Sequence, residues 1–253
     1  MNSNKKINLI AGLLVVCSPL LYGGSIVGSP HDIGGGANGV AGDNGEICVY
    51  CHTPHAANVA FDGAPLWNKS GTATNDYMMY GATTVNTAGT TIAGNATEST
   101  PSSPSLACLS CHDGISAIDS IVNAPGSGPG NLAAGSKNIG ELATMFGGNI
   151  GGTPGAPTAG TTVNLANDHP VSITYVEGAA SLRPKTTLLT DTGDGVAWIG
   201  ATTINDLLRA GRVECGSCHD PHNGGNTQGV STEVNFLRHS NTGSNLCIGC
   251  HNK

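Results

Sequence analysis

The sequence predicts a mostly irregular chain with a few short helices and little strand, whose core is filled by something other than its own side chains. Two observations carry this expectation. The first is composition: 38 of the 253 residues are Gly, the aromatics are 2 Trp, 5 Tyr and 3 Phe, and Leu, Ile, Val and Phe together number 51, about a fifth of the chain, close to the range in which chains stay disordered. Charged residues are only 11%, so the chain lacks the charged solvation of a disordered tail. The second is a set of Cys and His clusters that punctuate it. Together they exclude an ordinary α/β enzyme, a coiled coil and a multi-span membrane protein. A scaffold held by metals, disulfides or cofactors remains.

From the N-terminus, Lys5 and Lys6 precede an apolar run from Leu9 to Leu21, followed by Gly23, Gly24 and Ser25. This is the pattern of a secretory signal peptide over 1–25, with cleavage near Gly24 or Ser25. The run is shorter than the roughly 20 apolar residues of a membrane span, so the mature chain is expected not to span a membrane. Cys17 leaves with the signal, since Val16 before it is too bulky for a lipoprotein site. Loss of Lys5 and Lys6 takes the net charge from −7 to −9. An acidic exported chain is a poor partner for nucleic acid or anionic lipid.

The other eight cysteines form four pairs, Cys48 and Cys51, Cys108 and Cys111, Cys215 and Cys218, and Cys247 and Cys250, each followed at once by a histidine: His52, His112, His219 and His251. Four such coincidences have a chance probability of roughly one in several hundred thousand, and C-x-x-C-H is the attachment motif of c-type haem. Two thiols add to the vinyl groups of one haem while the adjacent imidazole reaches its iron. Zinc ribbons and disulfides are the competing readings, but neither explains a His after every second Cys. Four macrocycles also supply the buried apolar surface that the side chains lack, and the haem-free chain is then expected to be largely unfolded.

Nine histidines less four leave His31, His55, His169, His222 and His239 as axial ligands of the opposite face. Met78, Met79 and Met145 are too few to serve every iron. Four bis-histidine haems follow, with His31, His55, His169 and His222 as distal ligands and His239 as the spare. Such irons have no open position, which favours electron transfer over catalysis. His55 and His222 each lie three residues beyond a proximal His, in Cys51-His52-Thr53-Pro54-His55 and Cys218-His219-Asp220-Pro221-His222. Three residues span at most about 10 Å, too short to round the rim of their own haem, so each must serve a second one. Asp32 and Asp168 are candidates to hold the free ring nitrogen of His31 and His169.

Elsewhere, an aromatic patch is expected over 61–80 (Trp67, Tyr77, Tyr80), and the run Ile115, Ile118, Ile121 and Val122 predicts a short helix after the second motif. Gly-, Thr- and Pro-rich stretches at 81–105, 124–167 and 181–204 read as long loops, wrapped around a haem stack. Asn68 and Asn95 begin glycosylation sequons. Residues 26–253 are taken as a single tetrahaem domain.

These residues, with Ser29-Pro30-His31-Asp32, Ile47 to His55, Pro65-Leu66-Trp67-Asn68-Lys69, Cys108 to Gly114, Asp168 to Val171 and Val213 to His222, resemble exported multihaem cytochromes with doubled C-x-x-C-H motifs. The layout is similar to that of the tetrahaem outer-surface cytochromes of metal-respiring bacteria, which polymerise into extracellular filaments. The resemblance implies a secreted electron carrier at the cell surface, partnered by redox proteins and by copies of itself in a head-to-tail filament. It also implies that one distal histidine crosses to the neighbouring subunit's haem. His55 is expected to be that donor, with His31 the second choice, because the first haem is attached close to the mature N-terminus and so lies at one end of the stack. A soluble monomeric periplasmic carrier shares every motif, and a multihaem reductase would differ by one open iron.

Overall fold

The computed structural model describes residues 26–33, 46–61, 63–69, 76–113, 116, 121–123, 162–179, 181–223 and 236–252. The expected signal segment 1–25 and most of the stretch 124–167 lie outside the described residues. Among the described residues the chain is mostly coil. Its helices are α1 (Ser103–His112), α2 (Ile204–Leu207), α3 (Cys215–Cys218) and α4 (Asn245–Cys250), with 3-10 turns at Cys48–Tyr50, Leu189–Asp191 and Thr242–Ser244. Two sheets of two strands complete it. Strand β1 (Tyr77–Met78) pairs in parallel with β2 (Val163–Asn164), and β3 (Ile173–Thr174) pairs antiparallel with β4 (Arg212–Val213), placing Ile173 opposite Val213. No helix among them is long and apolar enough to cross a membrane.

Side chains do form two small cores, so the cofactor-only core expected from composition is too strict. In one, Leu109 of α1 packs with Tyr77, Met79, Val163 and Leu165 across the parallel pair. In the other, Tyr175, Leu189, Trp198, Ile204, Leu207 and Leu208 come together. Much of the second core comes from 181–204, which reads as loop because single buried residues between turns leave no hydrophobic period. Helix α2 is started there by Asp206, whose carboxylate accepts the N–H groups of Thr202 and Thr203 and the Thr203 hydroxyl.

Three expectations need correction. The helix of the second motif precedes and contains the motif. Pro104 occupies its first turn, where a missing N–H costs nothing. After it, the Asp113 carboxylate captures the N–H and hydroxyl of Ser116, a local bond that competes with helix propagation. Ile121, expected in a helix, instead bridges to Lys69; Ile115 and Ile118 lie outside the described residues. The aromatic patch is divided, with Tyr77 in the first core and Trp67 against His52. Finally, Asn68 is 0% exposed. Its Nδ2 donates to the carbonyls of Val49 and Asn123, and its Oδ1 accepts the Asn123 N–H. That amide has no room for a glycan.

Candidate haem-binding site

Each C-x-x-C-H segment is folded into one helical turn. The His N–H donates to the carbonyl of the first Cys at His52–Cys48 (2.8 Å), His219–Cys215 (3.0 Å) and His251–Cys247 (2.9 Å), and the second motif closes α1. Positions i, i+3 and i+4 share a helix face, so both sulfurs and the imidazole point the same way. All eight thiols are free. That donor set fits one covalently held haem per turn.

The second motif departs from the other three in being the end of a longer helix. Cys108, Cys111 and His112 all belong to the last turns of α1, and Cys111 is a free, half-buried thiol one residue short of its end. Sequence spacing pairs Cys111 with Cys108 alone. The fold also brings Cys111 near the first motif, where its charge adds to burial in raising the Cys51 thiol. The first and second motifs are neighbours, with Trp67 Nε1 donating to Ser110 Oγ of α1 (3.2 Å), although 60 residues separate Cys51 from Cys111.

A clamp recurs at the other three turns. His52, His219 and His251 each form a single antiparallel bridge, to Trp67, Leu237 and Leu182. The residue after each bridge partner is Asn68, Arg238 or Arg183. Its backbone N–H donates to the carbonyl of the second Cys: Cys51, Cys218 or Cys250, at 2.8, 2.8 and 2.9 Å. Its side chain donates to the carbonyl of the residue after the first Cys. Asn68 Nδ2 reaches Val49 (2.5 Å), Arg238 Nε reaches Gly216 (2.8 Å) and Arg183 Nε reaches Ile248 (3.0 Å). One residue thus holds the turn at two carbonyls, and the bridge fixes the backbone that carries the motif imidazole. Sequence reasoning missed all three residues. The shared signal is a large apolar residue followed by a long amide or guanidinium donor.

Three imidazole pairs occur among the described residues. His52 and His222 have ring centroids 6.1 Å apart with planes inclined by 17°, His31 and His112 are 5.9 Å apart, and His169 and His251 6.4 Å. A metal–imidazole bond of about 2 Å on each side, plus the distance from nitrogen to ring centre, puts two axial rings about 6 Å apart. The spacing fits an iron between each pair. The pairs also cross the chain, since His222 of the third motif faces His52 of the first.

The ring nitrogen turned away from the partner is held by backbone. Nδ1 of His52 meets the carbonyl of Pro65 (2.7 Å), that of His31 the carbonyl of Pro221 (3.2 Å), and that of His169 the carbonyl of Pro170 (3.0 Å). Donation from Nδ1 leaves the Nε2 lone pair for a metal. This corrects the role expected of Asp32, whose carboxylate accepts the Gly28 N–H instead; Asp168 is not the group at His169 Nδ1. His31 also stacks on Phe236 at 4.1 Å. Burial pushes its pKa down to about 4, only partly offset by the Pro221 carbonyl, so its imidazole is neutral at neutral pH.

Of the remaining histidines, His55 is exposed and its backbone carbonyl accepts from Thr53 Oγ1 and Asn123 Nδ2. His239 is 2% exposed and stacks on Trp198 at 4.9 Å. Its Nδ1 meets the Ser240 carbonyl, and its Nε2 lies 3.3 Å from Asp194 Oδ1 without a hydrogen bond between them.

Burial pushes the Cys51 thiol up to about 12, Cys218 to about 11 and Cys250 to about 12, with Lys69, Arg238 and Arg183 respectively pulling the other way. The Cys108 thiol is pushed up by its hydrogen bond to Cys215 and by burial, and the same bond holds Cys215 down. The second and third motifs are neighbours, since the Cys215 N–H donates to Ser105 Oγ of α1 (3.1 Å).

Residues 208–253, which hold the third and fourth motifs, match the family described as the doubled CXXCH motif. No curated protein matches the chain. The doubled motif indicates covalent haem c attachment in this segment, the feature by which the chain is similar to multihaem c-type cytochromes.

Proposed function

We propose that the protein is an exported tetrahaem c-type cytochrome that carries electrons as the subunit of a haem-chain filament. Haem is held through Cys48 and Cys51, Cys108 and Cys111, Cys215 and Cys218, and Cys247 and Cys250. The proximal imidazoles are those of His52, His112, His219 and His251, and the distal ones those of His31, His55, His169 and His222. Bound haem iron supplies one-electron oxidation and reduction. The observation that carries the reading is the set of imidazole pairs at 5.9, 6.1 and 6.4 Å, each joining a motif histidine to one outside that motif. Two imidazoles on one iron leave no open position for a substrate, which supports electron transfer rather than catalysis.

Self-assembly is supported at His55. Its imidazole is exposed on a segment whose carbonyl is held by Thr53 and Asn123, and nearby Val59 and Leu66 are 91% and 54% exposed. An exposed imidazole on a held backbone, beside exposed apolar residues, suits a head-to-tail contact in which His55 ligates a haem of the next subunit, a heterologous interface that need not close into a ring. His31 is the second choice for that role.

Intact mass and haem absorbance of the secreted protein, with electron microscopy of the native material, test the reading. Four covalent haems, all low-spin, and filaments are expected. Replacing His55→Ala should give monomers with one perturbed haem per chain. Normal filaments from that variant would overturn the assignment of His55, and a wild-type protein that stays monomeric at high concentration would overturn the filament.

A further inference from the structure

Glu214 immediately precedes the third motif and is 1% exposed. Its carboxylate receives three hydroxyls: Ser102 Oγ on Oε1 (2.5 Å), and Ser105 Oγ (2.5 Å) and Ser172 Oγ (2.9 Å) on Oε2. The direction of two of these bonds is fixed by what else the hydroxyls do. Ser105 Oγ accepts the Cys215 N–H and Ser172 Oγ accepts the Ser102 N–H, so their protons are free to point at Glu214. With the Ser102 hydroxyl donating to Oε1, both oxygens accept, which is the behaviour of an ionised carboxylate.

The position of that charge is specific. Ser105 lies in α1 one turn before Cys108, and Glu214 is bonded through its backbone N–H to Ser217 inside the third motif. The carboxylate is therefore wedged between the helix of the second motif and that of the third, where the Cys215 N–H donates to Ser105 Oγ (3.1 Å). Basic side chains stand at the first, third and fourth motifs, Lys69 beside Cys51, Arg238 beside Cys218 and Arg183 beside Cys250, and Glu214 is the buried carboxylate shared by the second and third.

We propose that Glu214 sets the reduction potentials of the second and third haem positions, that of Cys108 and Cys111 and that of Cys215 and Cys218, holding both below the values they would have without it. The inference rests on the proposed occupancy of those two motifs. Reduction adds one electron to ferric iron and removes one unit of positive charge, with no proton required. A buried negative charge stabilises the more positive ferric state, and in a low-dielectric interior such charges act strongly. Three hydroxyls let the carboxylate remain buried as an anion.

Glu214→Gln removes the charge and keeps the shape. The Gln carbonyl can take the Ser105 and Ser172 hydroxyls, and its amide can donate to Ser102 Oγ, whose own proton is free to rotate. Spectroelectrochemical titration of the holoprotein, with intact mass read on the same sample, is the test. The expected result is four haems per chain, an upward shift of two of the four one-electron potentials, and no change in the other two. Four haems with unmoved potentials, or an equal shift of all four, would overturn the inference. Fewer than four haems in the wild type would instead overturn the occupancy. Ser102→Ala is the second variant. It takes away one hydroxyl dipole that offsets the carboxylate, so the same two potentials should fall, and no movement there would also count against Glu214.

Discussion

Arg183 and Ile248 stand 65 residues apart in sequence, and the Nε–H of Arg183 donates to the carbonyl of Ile248 at 3.0 Å. The same arginine's backbone N–H holds the Cys250 carbonyl. The turn that carries the fourth motif is thus fastened to a distant segment by one residue.

Arg183→Leu should cost about 1.5–3 kcal/mol, the range for a hydrogen bond to a charged group, in denaturant unfolding of the holoprotein. Arg183→Lys should recover less than half, because an ammonium lacks the fixed fork that meets one carbonyl from the side. Full recovery by Lys would mean that charge alone matters at this position.

Haem removal should be more severe. A chain with all eight motif cysteines changed to Ser should show no cooperative thermal transition by circular dichroism, because the two side-chain clusters are small and folding energy comes with the bound group. A sharp melt of that variant would show that the clusters suffice.

His239→Gln should leave the absorption spectrum low-spin while lowering stability by about 1 kcal/mol through loss of the Trp198 stack. A high-spin fraction appearing in this variant would instead make His239 a ligand.

Acid should loosen α2 at a defined place. The N–H groups of Thr203 and Thr202 and the Thr203 hydroxyl hold the Asp206 pKa below its ordinary 3.8. A depressed carboxyl contributes stability that is fully present above 3.8 and is lost as pH falls through the lower folded value. Wild type and Asp206→Asn should therefore differ in melting temperature at pH 6 and converge as pH falls well below 3.8. A constant difference across that range would contradict the role of the charge.

How much of this was legible in sequence depends on how local the chemistry is. The four one-turn C-x-x-C-H segments are legible because their chemistry is confined to spacing within five residues. That Cys111 lies near Cys51, and Cys108 against Cys215, was not, since those approaches come from how the turns pack on one another. The spare status expected of His239 rested on ligand arithmetic alone; its buried place against Trp198 depends on residues 41 positions away. The three clamps were not legible, since each acts on backbone carbonyls that become neighbours only when a bridge forms. Asn68 read as a glycan acceptor for that reason. Glu214 is not legible because the three hydroxyls that donate to it come from residues 102, 105 and 172. The helix of α1 was misplaced because four spaced apolar residues outweighed the Ser-Pro start that precedes the motif.

The chain has 2 Trp residues, and each rests on a different attachment turn. Trp67 meets His52 edge to face at 5.7 Å. The ring of Trp198 lies so close to Gly249, inside the fourth motif, that a Cβ there would come within 2.4 Å of it. Haem absorbs where indole emits, so energy transfer over such distances darkens the indole. If the proposed haems are present, the intrinsic fluorescence of this protein would gauge maturation, dark in the loaded chain and bright in one that holds no haem.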